Sequence, residues 1–290
     1  MIGRKSHTRL SYAERIARVA AHIAANLDSD LSLERLAGIA YLSPYHFHRI
    51  YRAMTGETTA ETARRLRLHR AAHSLVASHD PIARIAARAG YSSVAAFTRA
   101  FAASYGLGPA TYRRRGSLLP DAEPLHEKDE PMSSPWTVSV QPMPALCLAA
   151  IRHIGPYIEI GRAFDRLMPW AAARGLLGPE TLGVGVFHDD PASVPAKELR
   201  SDAGITVAPE VEGDGDVGIL PIAAGQHAVL RHVGPYAELE KAYDWLYCAW
   251  LPTSGYEPAD RPAYEIYRNN PRDVPARDLV TDICLPLAGG

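Results

Sequence analysis

The sequence predicts a multidomain protein. An all-α N-terminal domain carries two helix-turn-helix units, and an α+β C-terminal domain is built of two βαββ repeats. Three observations predict this. A segment near the N-terminus recurs at an offset of 50, a different segment later in the chain recurs at an offset of 79 to 80, and the charge reverses sign between the two. In the first repeat, residues 33–56 (LERLAGIAYLSPYHFHRIYRAMTG) align with residues 83–106 (ARIAARAGYSSVAAFTRAFAASYG). Tyr41 falls on Tyr91, Ser43 on Ser93, Phe47 on Phe97, Arg49 on Arg99, Tyr51 on Phe101 and Gly56 on Gly106. Each copy reads as a short helix, a tight turn, and a second helix opened by a serine cap and closed by a glycine.

In chain order, Ser11 and Glu14 have capping-box spacing ahead of an apolar-periodic helix running to about Asn26. Helices follow over 32–39 and 44–54. Thr58 and Glu61 repeat the capping box and open a long helix to about Ser78. Asp80 and Pro81 suit the N-cap and first position of a helix ending near Ala89. Another helix runs from Ser93 to Tyr105, and Pro109 begins a last short one, so the first half reads as seven helices without a strand.

Residues 1–119 hold 18 Lys+Arg against 7 Asp+Glu, a balance of +11, and the remaining 13 and 25 give −12. The basic half suits a polyanion and the acidic half would be repelled by one. The stretch GSLLPDAEPLHEKDEPMSSP lacks an apolar period and reads as a linker, so the domains are expected at 1–117 and 136–290 with the linker at 118–135. Without a long apolar run or an apolar N-terminal signal segment, a cytoplasmic protein with no membrane partner is expected. Cys147, Cys248 and Cys284 are widely spaced and read as small buried apolar residues.

The helix over 44–54 sorts into two faces. Phe47, Ile50, Tyr51 and Met54 form a core stripe, while Tyr45, His48, Arg49 and Arg52 share another side. Those four side chains can reach base edges and phosphates in a major groove, and His46 is assigned to the same reader. In the second copy the corresponding positions are Ala95, Thr98, Arg99 and Ala102, so the first unit is expected to read most of the sequence. The second is expected to add Arg99, apolar contacts to thymine methyls and phosphate anchoring. His69 and His73 stand four apart on the long helix, but without a third ligand they read as a solvated face, and no metal or other cofactor is expected.

In the second half, AAIRHIGPYIEIGRAFDRL (149–167) matches AVLRHVGPYAELEKAYDWL (228–246), and DDPASVPAKELRSDAGITV (189–207) matches NNPRDVPARDLVTDICLPL (269–287). Two such units side by side leave a groove between them. GDGDVG (213–218) between the copies reads as a turn. An offset of 80 sets Glu265 against Gly185, so a carboxylate among strand aromatics has a bare counterpart. Glu265 points the same way as Ala263 and Tyr267 and opposite to Tyr264 and Ile266. A carboxylate facing rings inside a groove is costly unless something positive or hydrogen-bonding answers it, and rings with a carboxylate suit a flat, apolar, cationic ligand. The ligand-contacting set expected is Glu265, Tyr236, Trp245, Tyr256 and Tyr267. A solvated edge-strand glutamate among core aromatics is the plainer alternative.

The first half resembles the DNA-binding domain of the AraC/XylS family of transcriptional regulators over about residues 10–115, on SPYHFHRIYRAMTG, the AxxAGYSS turn and FTRAFAASYGLGPATYRR. The resemblance implies two units joined by a long helix that enter adjacent major grooves of double-stranded DNA. It implies base readers at Tyr45, His48 and Arg49, then at Val94, Ala95 and Arg99. The second half is similar to the GyrI-like (Rob-like) effector-binding domain over about residues 136–288, on RHVGPYAELEKAYDWL and YEIYRNNPRDVPARDLVTDICLPL. That similarity implies a central cleft for hydrophobic, often cationic molecules with Glu265 as its carboxylate. A transcription regulator is therefore expected, sensing a small-molecule effector and acting on DNA and RNA polymerase, with no catalytic residues. The alternatives are a GyrI-like hydrolase using Glu265 as acid or base, or a domain that binds a partner protein, fused to the DNA reader.

Overall fold

Seven helices form the first half: α1 (Ile2–Ala25), α2 (Leu33–Ala40), α3 (Pro44–Thr55), α4 (Thr59–Ala77), α5 (Ile82–Arg88), α6 (Val94–Tyr105) and α7 (Pro109–Arg115). This computed structural model describes residues 2–115 and 136–289, with the backbone alone for residues 2–11; the predicted linker lies outside the described residues. α1 begins at Ile2, so Ser11 is inside it and is not an N-cap. The capping box before α4 forms as expected, Glu61 N–H donating to Thr58 Oγ1 (3.2 Å) and Thr58 N–H to Glu61 Oε2 (2.8 Å). At α5 the cap position is Pro81, and Asp80 instead pairs with Arg84 and Arg88, each at 3.0 Å.

The two helix-turn-helix units solve their turns differently. The second places Gly90 at φ 84°, while the first places Tyr41 at φ 54°, in the left-handed region that a Cβ disfavours. Phe47, Ile50 and Tyr51 of α3 are buried against α1 and α2, and Phe97 and Phe101 of α6 are buried in a second cluster with α4, α5 and Tyr112.

The second half is one eight-stranded antiparallel sheet. Its strands are β1 (Val138–Met143), β2 (Leu146–Ile154), β3 (Gly183–Phe187), β4 (Arg200–Thr206), β5 (Gly218–Ile222), β6 (Gly225–Val233), β7 (Tyr264–Tyr267) and β8 (Val280–Pro286). The spatial order is β1-β6-β8-β7-β3-β4-β2-β5. Each predicted βαββ unit is present: β2, α8 (Gly161–Ala173), β3 and β4, then β6, α9 (Leu239–Trp245), β7 and β8. Each also has a leading strand outside the predicted unit. β1 precedes β2 in the chain but pairs with β6, and β5 precedes β6 but pairs with β2, so the repeats exchange their first strands. The order is therefore symmetric about β3 and β7. Asp214 and Val217 bridge the GDGDVG turn between the copies.

After α9 the chain passes through one π turn over Leu246–Trp250 into α10 (Leu251–Ser254). This helical run is where the halves meet. α1 lies against α10, with Arg15 donating twice to Glu257 (2.8 and 3.2 Å). α3 lies against the π turn, and one apolar cluster runs from Ile16, Val19 and Phe47 into Leu239, Tyr247 and Leu251. Among the described residues no helix is long and apolar enough to cross a membrane.

Candidate functional site

A cavity of ≈ 1210 Å³ opens over the central strand pair, walled by α8 of one repeat and α9 of the other. Equivalent side chains of the two copies line it: Tyr157 and Tyr236 from the GPY turns, Phe164 and Tyr243 from the helices. On the α9 side the lining recurs at Leu239, Tyr243 and Tyr247, a helical spacing continued into the π turn. One further wall comes from the other half of the chain. Arg49, Arg52, Ala53 and Gly56 close the cavity, so α3 caps it.

Strand alternation delivers the carboxylate. Glu265 and Tyr267 face this cavity, while Tyr264 and Ile266 join the apolar cluster on the opposite face of the sheet. Glu265 is only 3% exposed. The Tyr267 ring stands edge-on between Tyr236 (5.4 Å, 61°) and Phe164 (5.8 Å, 77°), and so joins the two repeats. Burial pushes the Glu265 carboxyl up to about 7, against the Tyr267 and Tyr243 hydroxyls and the Arg49 charge, which favour its ionised form. Burial likewise holds the Tyr243 and Tyr267 hydroxyls far above the usual phenol range.

Of the ligand residues expected from the sequence, Glu265, Tyr236 and Tyr267 line the cavity together, but Trp245 and Tyr256 do not. Trp245 is two residues past Tyr243, on the opposite side of α9, where it packs on Trp136 (6.0 Å). Tyr256 lies beyond α10, stacked on Trp250 (6.3 Å, 9°). The tyrosines that take their place, Tyr243 and Tyr247, were legible as a helical recurrence from Tyr236 whose first-copy counterparts are Phe164 and Met168. Cys248, expected to be buried, is exposed and lines the cavity as well.

The first reading face is only partly presented to solvent. The Arg49 guanidinium carbon sits 4.4 Å from the centre of the Tyr243 ring and 5.2 Å from that of Tyr247, and its Nη1 is shielded without a hydrogen-bond partner. Arg49, expected from the sequence on the reading face, is held against two rings of the acidic half in this arrangement. His46, assigned to the reader, is 1% exposed and spans the junction instead. Its Nε2–H donates to Ala259 O (2.8 Å), which leaves Nδ1 to accept from the Tyr247 hydroxyl (2.9 Å). Burial pulls the His46 imidazole down to about 4 and keeps it neutral. Arg52 approaches Asp244 (4.0 Å), and burial lowers the His48 imidazole against the charges of Asp190 and Asp189. Tyr45 stays exposed at 39%. The second unit differs: Val94, Ala95 and Arg99 on α6 are all exposed.

Residues 137–288 match the family described as the GyrI-like small molecule binding domain, and residues 36–115 match a helix-turn-helix domain family. A DNA gyrase inhibitor of Erwinia billingiae is 32% identical over 127 residues, which cover 42% of this chain and 79% of that protein. The MmsAB operon regulatory protein of Pseudomonas aeruginosa is 36% identical over 95 residues, which cover 33% of this chain and 31% of that protein. Among solved structures, the EcmrR C-terminal domain aligns at 18% identity and a TM-score of 0.45, over 54% of this chain and 100% of that one. The helix-turn-helix match and the regulator relative agree with the paired units of the first half, and the other match spans more than half of the sequence. The chain belongs to the GyrI-like small molecule binding domain family, carried here behind an AraC-type helix-turn-helix domain, and is a DNA-binding regulator with a ligand-binding domain.

Proposed function

We propose that the protein is a sequence-specific transcriptional regulator whose second half senses a hydrophobic, planar, cationic small molecule in the cleft over β3 and β7. The observation that carries this reading is the environment of Glu265: a buried carboxylate beneath Tyr236, Tyr243 and Tyr267 in a cavity large enough for a drug-sized molecule. Aromatic faces and a desolvated carboxylate both reward a delocalised cation over a neutral molecule of the same shape. The base readers are Tyr45, His48, Arg49 and Arg52 of the first unit and Val94, Ala95 and Arg99 of the second, and RNA polymerase is the expected partner on DNA. The domain division at 1–117, 118–135 and 136–290 belongs to the same proposal.

The test is titration of the full-length protein with the cationic dye rhodamine 6G, followed by fluorescence anisotropy. Glu265→Gln should abolish binding, and a variant that binds as tightly as the wild type overturns the reading. One observation favours a second, catalytic reading, since a carboxyl poised near neutrality suits general acid–base work. Recovery of an electrophilic ester probe unchanged after incubation removes that reading.

A further inference from the structure

The cleft already contains a cation. Arg49 brings a planar, delocalised guanidinium onto the faces of Tyr243 and Tyr247, and its charge acts on buried Glu265. It arrives on α3, the helix whose sequence marks it as the first DNA reader, and α3 supplies one wall of the same cavity. Three further groups hold that helix in place: His46 on Tyr247 and Ala259, Arg52 near Asp244, and Phe47 in the shared apolar cluster. Tyr247 serves twice, once as an aromatic surface for Arg49 and once as the hydroxyl donor to His46.

We infer that Arg49 is the resident occupant of the cleft's cation subsite, so that the effector and the first DNA-reading helix compete for the same tyrosine and carboxylate surface. An effector that takes the guanidinium's place removes the contacts that hold α3 against the second half and returns its reading face to solvent. The effector therefore favours DNA binding by excluding an internal competitor. DNA must in turn tighten effector binding by the same factor, because coupling between two binding events is reciprocal. With α3 docked, α6 is the unit left open to DNA. This inference rests on the reading of the cleft as a cation site, and it adds what fills that site in the absence of an effector. It also gives a role to the shielded Nη1 of Arg49, which has no hydrogen-bond partner to lose when a ligand takes its place.

Two measurements on the full-length protein test it. The first compares rhodamine 6G affinity in the wild type, Glu265→Gln and Arg49→Met, the last keeping side-chain bulk while removing the charge. Arg49→Met should bind the dye about tenfold more tightly than the wild type, the cost of displacing a guanidinium from its ring contacts being of that order. Unchanged affinity in Arg49→Met, alongside binding that Glu265→Gln abolishes, overturns the competition and leaves the cleft reading intact. A dye bound by neither the wild type nor Arg49→Met, or bound equally by Glu265→Gln, overturns both. The second measurement uses Tyr247→Phe, which removes the hydroxyl that holds His46 and changes no charge. Its affinity for a mixed-sequence DNA duplex should rise severalfold, and amides of residues 44–55 should exchange faster in wild type saturated with dye. DNA affinity that is unchanged or lower in Tyr247→Phe, or α3 amides equally protected with and without dye, overturns the inference.

Discussion

Gly185 and Glu265 face each other across the central strand pair of the sheet, on the axis that relates its two repeats. They are also the same position of the repeat in sequence. The glycine is required by its neighbour's partner: a Cβ built at residue 185 would stand 2.6 Å from the Tyr267 hydroxyl and 3.0 Å from Phe187. One copy gives up its side chain so that a tyrosine of the other can cover the carboxylate.

Gly185→Ala should therefore be an overpacking change. The Tyr267 ring is wedged between Tyr236 and Phe164, so it cannot move aside freely. A loss of about 1–3 kcal/mol in denaturant unfolding is expected, with weaker dye binding as Tyr267 is displaced from Glu265.

Glu265 sets a pH dependence. Its folded-state value is raised to about 7 from 4.5. The native state therefore has its full advantage below pH 4.5 and loses it as pH rises through 7. Above that, ionised Glu265 costs about 3 kcal/mol relative to the unfolded chain. Glu265→Gln should thus be more stable than wild type at pH 8 and no more stable at pH 4, as read from thermal midpoints. Affinity for the cationic dye should strengthen as pH rises through about 7.

His46 works in the opposite direction. Its value is depressed to about 4 from 6.5, so the docking it supports is fully present above pH 6.5 and is lost as pH falls toward 4. Each unit of pH in that window removes up to about 1.4 kcal/mol. Hydrogen exchange of α3 amides at pH 5 and pH 7, corrected for intrinsic rates, should show weaker protection at pH 5. His46→Phe should remove the difference.

Arg99 is the exposed basic residue on the reading face of α6. Arg99→Ala should weaken binding to a selected operator by about 1–3 kcal/mol if it contacts a base edge. An equal loss on random duplex assigns it to phosphate instead.

Asp282 on β8 is 1% exposed and accepts from Arg231 Nε (2.7 Å) and Nη2 (2.9 Å) and from Arg268 Nε (2.7 Å). Burial alone would raise its carboxyl, but the two guanidinium groups outweigh burial and hold it below the usual range. Asp282→Asn should cost about 1–3 kcal/mol in denaturant unfolding, because three charge-assisted bonds lose their charge.

Local rules make much of this protein legible in its sequence. The Thr58 and Glu61 box, the Ser93 cap and the Gly56 and Gly106 stops follow from backbone groups within one turn of each helix. Strand alternation was enough to aim Glu265 and Tyr267 at one face and Tyr264 and Ile266 at the other. Trp245 and Tyr256, expected among the ligand contacts, are held instead by Trp136 and Trp250, because residue type says nothing about which side of a helix meets a cavity.

The sequence by itself determined the doubled modules, the opposed charges of the halves and the lone carboxylate opposite a glycine, since each is a property of spacing or residue type along the chain. Only the tertiary structure decided what those charges do to one another. Whether Arg49 and His46 face a DNA groove or the tyrosines of the second half depends on how the two halves pack together. Residues two hundred positions apart, His46 and Tyr247 among them, carry no mutual signal in a single sequence.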